Sequence, residues 1–171
     1  MTSDRDRPAE PIEATAYSEV DGVETWDLTG TPSDEAFGIE GASTAVYETQ
    51  EPRPVRIVLE GRTVETDTDL VDFRRGGSGD YTFRVSTPQL AADPLVAEYR
   101  SVLGQLGLGE ASVDELDRQV AAAPADQSEK ITVGSGDETA VVGPWSVAAS
   151  ATFTPLAGLG RVVLAGITPR S

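Results

Sequence analysis

The chain has 171 residues and a formal net charge of −16, with 29 acidic residues against 13 basic ones. Lys130 is its single lysine, and it contains neither histidine nor cysteine. The composition therefore excludes disulfide, thiolate and zinc–thiolate chemistry, and it removes the side chain best suited to proton transfer near neutral pH. The length suits one domain with a core of its own.

The acidic, lysine-poor composition is typical of proteins that function in concentrated salt. Such a charge strains a compact fold in dilute buffer, whereas at 1 M salt the Debye length is only about 3 Å. Few lysines also means few long apolar stems on a surface that salt would drive to associate. We therefore expect a protein of a haloarchaeon, or of a virus that infects one. An ordinary acidic mesophilic protein is the alternative.

Several partners are disfavoured by the same composition. Nucleic-acid binding depends on clustered Lys and Arg, and the sequence has no cluster beyond Arg74-Arg75. No segment approaches the ~20 apolar residues of a membrane span. The polar residues 1–8 do not resemble a secretory signal. We expect no nucleic-acid partner and no membrane association.

The N-terminal segment differs from the rest of the chain. Residues 1–16 are polar and contain Pro8 and Pro11, which predicts an extended N-terminal arm. Residues 17–171 are expected to form a single β-rich domain. Short alternating segments bounded by Gly or Pro predict strands over 23–28, 44–47, 55–59, 62–65, 80–86, 130–133, 139–142, 145–154 and 161–167.

Helix is predicted only in the middle of the chain. Apolar residues recur at helical spacing over 90–107, and Ser112 to Glu115 form a capping-box pattern that opens a second helix ending before Pro124. These two helices predict a helical hairpin inserted at about residues 89–123. The expected fold class is therefore mainly β: an antiparallel β-sandwich or barrel-like domain with a helical insertion.

The last 33 residues, from Thr139 onward, contain no acidic residue. Within them, large or apolar side chains alternate with the small, uncharged Ser146, Ala148, Ser150 and Thr152. This pattern predicts a strand covered on both sides, by the core or by another subunit. Together with the two adjacent arginines, the alternating apolar residues are the interface candidates: Arg74, Arg75, Trp145, Val147, Ala149, Ala151 and Phe153.

No motif predicts a catalytic, cofactor-binding or metal-binding residue. The acids between Asp67 and Asp72 do not fit the register of a calcium loop, so a salt-adapted surface between strands is preferred. Residues 74–79 are rich in glycine but run into a strand, where a phosphate-binding loop would open a helix. No Gly-x-Ser-x-Gly pattern occurs. The sequence predicts that the protein is not an enzyme.

These observations favour a structural subunit of a haloarchaeal virus particle: a capsid, tail-tube, decoration or connector protein. Such a subunit would be assembled in the host cytoplasm, and its partners would be copies of itself or other virion proteins. The alternative is a cytoplasmic protein-binding or adaptor module of a haloarchaeon. A carboxylate-based, metal-dependent enzyme is the third possibility.

Overall fold

The computed structural model describes residues 13–41, 43–135 and 138–168. Nine strands and three helices follow one another within these residues, and the mainly-β prediction is confirmed. Their bounds are β1 (Tyr17–Val20), β2 (Val23–Asp27), α1 (Asp34–Phe37), β3 (Thr44–Leu59), β4 (Arg62–Arg75), β5 (Tyr81–Ser86), α2 (Ala92–Leu106), α3 (Ala111–Ala122), β6 (Ile131–Gly134), β7 (Ala140–Val142), β8 (Trp145–Thr154) and β9 (Leu159–Ile167).

All nine strands belong to one sheet. Their order is β1-β2-β3-β4-β5-β9-β8-β6, and β7 pairs with β8 beside β6. Neighbouring strands run antiparallel except β2 and β3, which are parallel. The described strands thus form a large open sheet, and the predicted closure into a sandwich or barrel is not confirmed.

The long hairpin of β3 and β4 forms the middle of the sheet. Glu60 and Gly61 form the turn between the predicted strands 55–59 and 62–65, and Gly61 adopts φ +76°, which favours glycine. The predicted segments 44–47 and 55–59 are one strand, whose register shifts between Glu48 and Arg53. The guanidinium of Arg53 stabilises this irregularity, because it bonds the Glu24 carboxylate at 3.1 Å and the Tyr47 carbonyl at 3.0 Å.

The two main helices occupy the predicted positions with one correction. Helix α3 begins at Ala111, and its N-cap Glu110 makes no side-chain capping bond. The capping box predicted at Ser112 is therefore wrong. The Ser112 hydroxyl instead accepts a 3.0 Å hydrogen bond from the Tyr99 hydroxyl of α2. A contact between the two helices has replaced a bond within one of them.

One face of the sheet carries the core, which we call the inner face. Helix α2 packs against β4, β8 and β9, and α3 packs against β6. An aromatic group extends this core towards α1, where Phe37 stacks on Phe73 with ring centroids 4.5 Å apart. Trp145 lies against Phe83 at 5.0 Å and donates its indole N–H to the Leu28 carbonyl at 3.1 Å. This bond links β8 to the residue that follows β2.

The predicted N-terminal arm falls mostly outside the described residues, since 1–12 are not among them. Its described end packs against α1. The backbone N–H groups of Thr15 and Ala16 each donate a 3.0 Å hydrogen bond, to the carbonyls of Glu35 and Ala36. Ala14 is buried. Residues 13–16 therefore form part of the domain.

Candidate assembly surface

The apolar interface candidates of β8 point into the protein's own core. Strand β8 alternates strictly, and its inner residues are at most 5% exposed. A partner could reach them only if the helices that cover the inner face moved away. The residues of β8 that a partner can reach are the alternate ones, which are half-buried. The five inner residues are Trp145, Val147, Ala149, Ala151 and Phe153.

The structure separates the two candidate arginines. The guanidinium of Arg75 forms a salt bridge with Asp34 at the start of α1. Asp34 also accepts a 2.8 Å hydrogen bond from the Tyr81 hydroxyl. Burial, reinforced by this carboxylate, raises the pKa of Tyr81. Arg75 thus joins α1 to the sheet, whereas Arg74 lies exposed on the opposite side of β4.

We call the side of the sheet opposite the helices the outer face. Strand register places its residues in rows that cross the sheet. The central row runs from β3 to β8 through four successive pairs, each fixed by the backbone pairing. Its members are Val46, Asp72, Arg84, Ala165 and Ala148. The neighbouring row contains Thr44, Arg74, Thr82, Ile167, Ser146 and Val141.

The outer face exposes large apolar side chains. Val141 is 75% exposed, Val46 59% and Ile167 46%. These three lie in the two rows just described, together with the exposed Ala165. Apolar groups gathered on one face mark a contact surface, whereas single exposed apolar residues need no explanation.

Two ion pairs form within the sheet on this face. The Arg84 guanidinium donates to one oxygen of Asp72 at 3.0 and 2.7 Å, across the β4–β5 pair. Arg161 of β9 lies 3.4 Å from the Asp69 carboxylate. Among the described residues, the exposed side chains of Arg74 and Glu48 on this face have no hydrogen bond or ion pair, and their charges are opposite. The face is therefore close to neutral in a chain of net charge −16.

A cavity of about 370 Å³ lies in the middle of the outer face. Its floor consists of small residues, because β8 contributes Ser146 and Ala148 and β9 contributes Ala165 and Gly166. Gly166 has no space for a side chain, since a Cβ there would overlap the Phe83 ring. Long side chains of the neighbouring strands line the cavity: Arg74, Arg84 and Ile167.

The helical side of the molecule has the opposite character. Residues 91–129, which contain both helices, hold eight acidic residues against Arg100 and Arg118. Within the described residues, no group of three or more acids is placed to hold a metal ion. The acids singled out from Asp67 to Asp72 lie within β4, not in a loop between strands. Asp69 and Asp72 are engaged by arginines.

Sequence reasoning had identified the small, uncharged residues of β8 but not their neighbours on the outer face. Val46, Asp72 and Arg84 lie far from them in sequence, and only the pairing of β9 between β5 and β8 brings them together. No local sequence pattern indicates that these distant residues lie on the same face.

The outer face thus combines exposed apolar side chains, two ion pairs and a cavity on one side of the sheet. Exposed apolar side chains gathered on one face are a feature of protein contact surfaces. No helix in the described part of the chain has the length and apolar content needed to cross a bilayer. Comparison of the chain with known protein families, with curated proteins and with solved structures finds no match.

Proposed function

We propose that the protein is a non-enzymatic structural subunit of a haloarchaeal virus particle, and that it assembles with other copies of itself through the outer face of the sheet. One observation carries the assembly proposal: a strongly acidic chain has a nearly neutral face with exposed Val46, Val141 and Ile167. Such a face is costly to leave in brine, because salt strengthens the tendency of apolar surface to associate. Burying it against another subunit removes that cost.

The composition supports assembly in the cytoplasm of a haloarchaeal host. An excess of acid with a single lysine fits a host cytoplasm rich in salt, where surface charges hardly repel one another. Virion subunits need extensive contact surfaces and no site chemistry. A β-sandwich, the fold predicted from the sequence, would form between subunits if the sheet of a second copy packed on the outer face.

A second candidate is a cytoplasmic adaptor module that holds a different protein. The exposed Arg74 favours it, because a guanidinium without a described partner suits a carboxylate of another chain. On this reading the purified protein is monomeric and the outer face is occupied only when the partner is present.

Mass in concentrated salt tests the proposal. We would measure light scattering after size exclusion at about 3 M KCl, where the Debye length is below ~3 Å. We expect species well above the 18.0 kDa monomer. A monomer at every protein concentration would overturn self-assembly and favour the adaptor.

A matched pair of variants locates the contact. Ala148→Glu places a carboxylate in the centre of the outer face, and Ala97→Glu places the same group on the exposed surface of α2. We expect Ala148→Glu to release monomers while its circular dichroism stays native, and Ala97→Glu to assemble normally. If both variants assemble like the native chain, the outer face is not the contact.

A further inference from the structure

We propose that the elementary contact is a two-fold pairing in which the outer faces of two copies pack face to face and form an intermolecular β-sandwich. This inference rests on the proposed self-assembly and specifies its geometry. It concerns which surface of the second copy meets the outer face, and four features of the structure bear on that question.

The first feature is apolar complementarity. An apolar face gains most by meeting another apolar face, and the exposed Val46, Val141 and Ile167 of one copy find their counterparts on the same face of a second copy. The helical side offers carboxylates instead, since residues 91–129 carry eight acids. The outer face offers these carboxylates little positive charge, since its described arginines are paired except Arg74. Packing the outer face on the helical side would therefore bury carboxylates without partners, which is costly.

The second feature is charge balance. Burying an unpaired charge is costly even where salt screens repulsion, so in a chain of net charge −16 the favoured pairing joins the least charged surfaces. On the outer face, Arg84 neutralises Asp72 and Arg161 neutralises Asp69 within the same copy. Face-to-face packing therefore buries ion pairs that are already formed. It also covers Arg74 and Glu48, which carry opposite charges and have no described partner within one copy.

The third feature is shape. In the central row, Ala165 and Ala148 are adjacent small residues, and larger side chains flank them on both sides: Arg84 towards β5, and Val141 and Ile167 in the next row. A two-fold axis through the small residues sets Ala148 and Ala165 of each copy opposite the same residues of the other, where their small size allows the two sheets to approach closely. Isologous contacts of this kind are self-complementary by symmetry.

The fourth feature is area. Each outward residue of a sheet occupies about 30 Å² in projection, from a strand spacing of about 4.8 Å and a two-residue repeat of about 6.7 Å. A third row on the other side of the central one contains Glu48, Leu70, Ser86, Val163 and Ser150. Three rows across five strands therefore cover roughly 500 Å² in projection. The accessible area of a face covered with side chains exceeds its projection, so the surface approaches the ~800 Å² per partner of a standard interface.

The absence of cysteine allows a direct test. Introducing Ala148→Cys or Ala165→Cys gives a chain with one thiol. Two copies of the same residue come close enough for a disulfide, with Cβ atoms about 4 Å apart, only near a two-fold axis. A head-to-tail contact would set each thiol opposite a different residue. The control is Ala97→Cys, whose thiol lies on the helical side.

We expect mild oxidation, or a short bifunctional thiol reagent, to convert most of the Ala148→Cys or Ala165→Cys protein into a covalent dimer in concentrated KCl. Ala97→Cys should remain unlinked at the same concentration. If the cysteine variants assemble by light scattering but neither outer-face thiol crosslinks, the two-fold pairing is refuted while self-assembly stands. If they are monomeric by light scattering, both proposals fail.

Discussion

Replacing Trp145 by Phe should destabilise the protein more than the same change at Trp26. Both indoles are at most 1% exposed, so the two substitutions remove similar volumes from the core. Their hydrogen bonds differ. The Trp145 indole donates to the buried backbone carbonyl of Leu28 at 3.1 Å, whereas the Trp26 indole donates to a carboxylate oxygen of Glu24 at 3.1 Å.

The magnitude follows from what each substitution leaves behind. Trimming a buried indole to a phenyl ring costs about 1–2 kcal/mol, a part of the full truncation cost. At Trp145 the Leu28 carbonyl also loses its donor, which adds about 1–3 kcal/mol because a main-chain carbonyl cannot move to water. At Trp26 this second cost is small, because Glu24 keeps its salt bridge with Arg53. We expect losses of about 2–5 kcal/mol for Trp145→Phe and ~1–2 kcal/mol for Trp26→Phe.

Chemical and thermal unfolding in concentrated KCl would measure the difference. For a protein of this length, each kcal/mol lowers the melting temperature by about 2–4 °C, so Trp145→Phe should melt roughly 2–12 °C below Trp26→Phe. Equal melting temperatures, or a larger loss at Trp26, would refute the claim that the bond to Leu28 stabilises the junction of β2 and β8.

Four further outcomes are expected. Ala149→Asp should prevent folding, because it buries a carboxylate at a site that is 3% exposed, whereas Ala148→Asp on the other side of β8 should fold. Circular dichroism of the two variants measures this difference, and a folded Ala149→Asp variant would contradict the inward orientation of Ala149. Gly160→Ala should cost more stability than Gly30→Ala, because its Cβ would overlap the Thr152 carbonyl, while nothing lies within 4 Å at Gly30; equal unfolding midpoints would count against the close β8–β9 approach. The free energy of unfolding should rise as KCl increases from dilute buffer to above 1 M, since screening removes repulsion, and full stability in dilute buffer would contradict salt adaptation. Burial raises the pKa of every tyrosine: Tyr17, Tyr47, Tyr81 and Tyr99. The neutral phenols therefore stabilise the fold below pH ~10, and this stabilisation is lost as the pH rises through the higher pKa values of the folded state. In an ultraviolet titration, phenolate should form at higher pH in the folded protein than in denaturant, and coincident curves would refute the burial of these side chains.

Local sequence patterns predicted the elements whose periodicity is clean. Strands β5 and β8 alternate regularly, and α2 carries its apolar residues on one side, so each was found with bounds close to the observed ones. Helix α1 was missed because it has only four residues, which are too few to show a helical period. Its N-cap Ser33, which accepts from the Ala36 N–H at 3.1 Å, was the available signal.

Only the β8 part of the candidate surface could be predicted from the sequence. The absence of acid after Glu138 drew attention to β8, and the small alternate residues of this strand lie on the outer face. Which side of that strand a partner could reach depended on where α2 packs. The remaining part of the surface depended on strand order, because Asp72 and Arg84 join it only through β9. Pairings between distant segments leave no mark in a local pattern.

The position of β9 has a consequence for how the chain folds. It is the last strand of the described chain, yet it lies inside the sheet, between β5 and β8. Its partner β5 ends at Ser86, and β9 begins only at Leu159. During synthesis, β5 and β8 therefore each keep one edge unpaired until residues 159–167 leave the ribosome and β9 can join them. Such late, non-local closure is slow, and the waiting edges can pair with other chains.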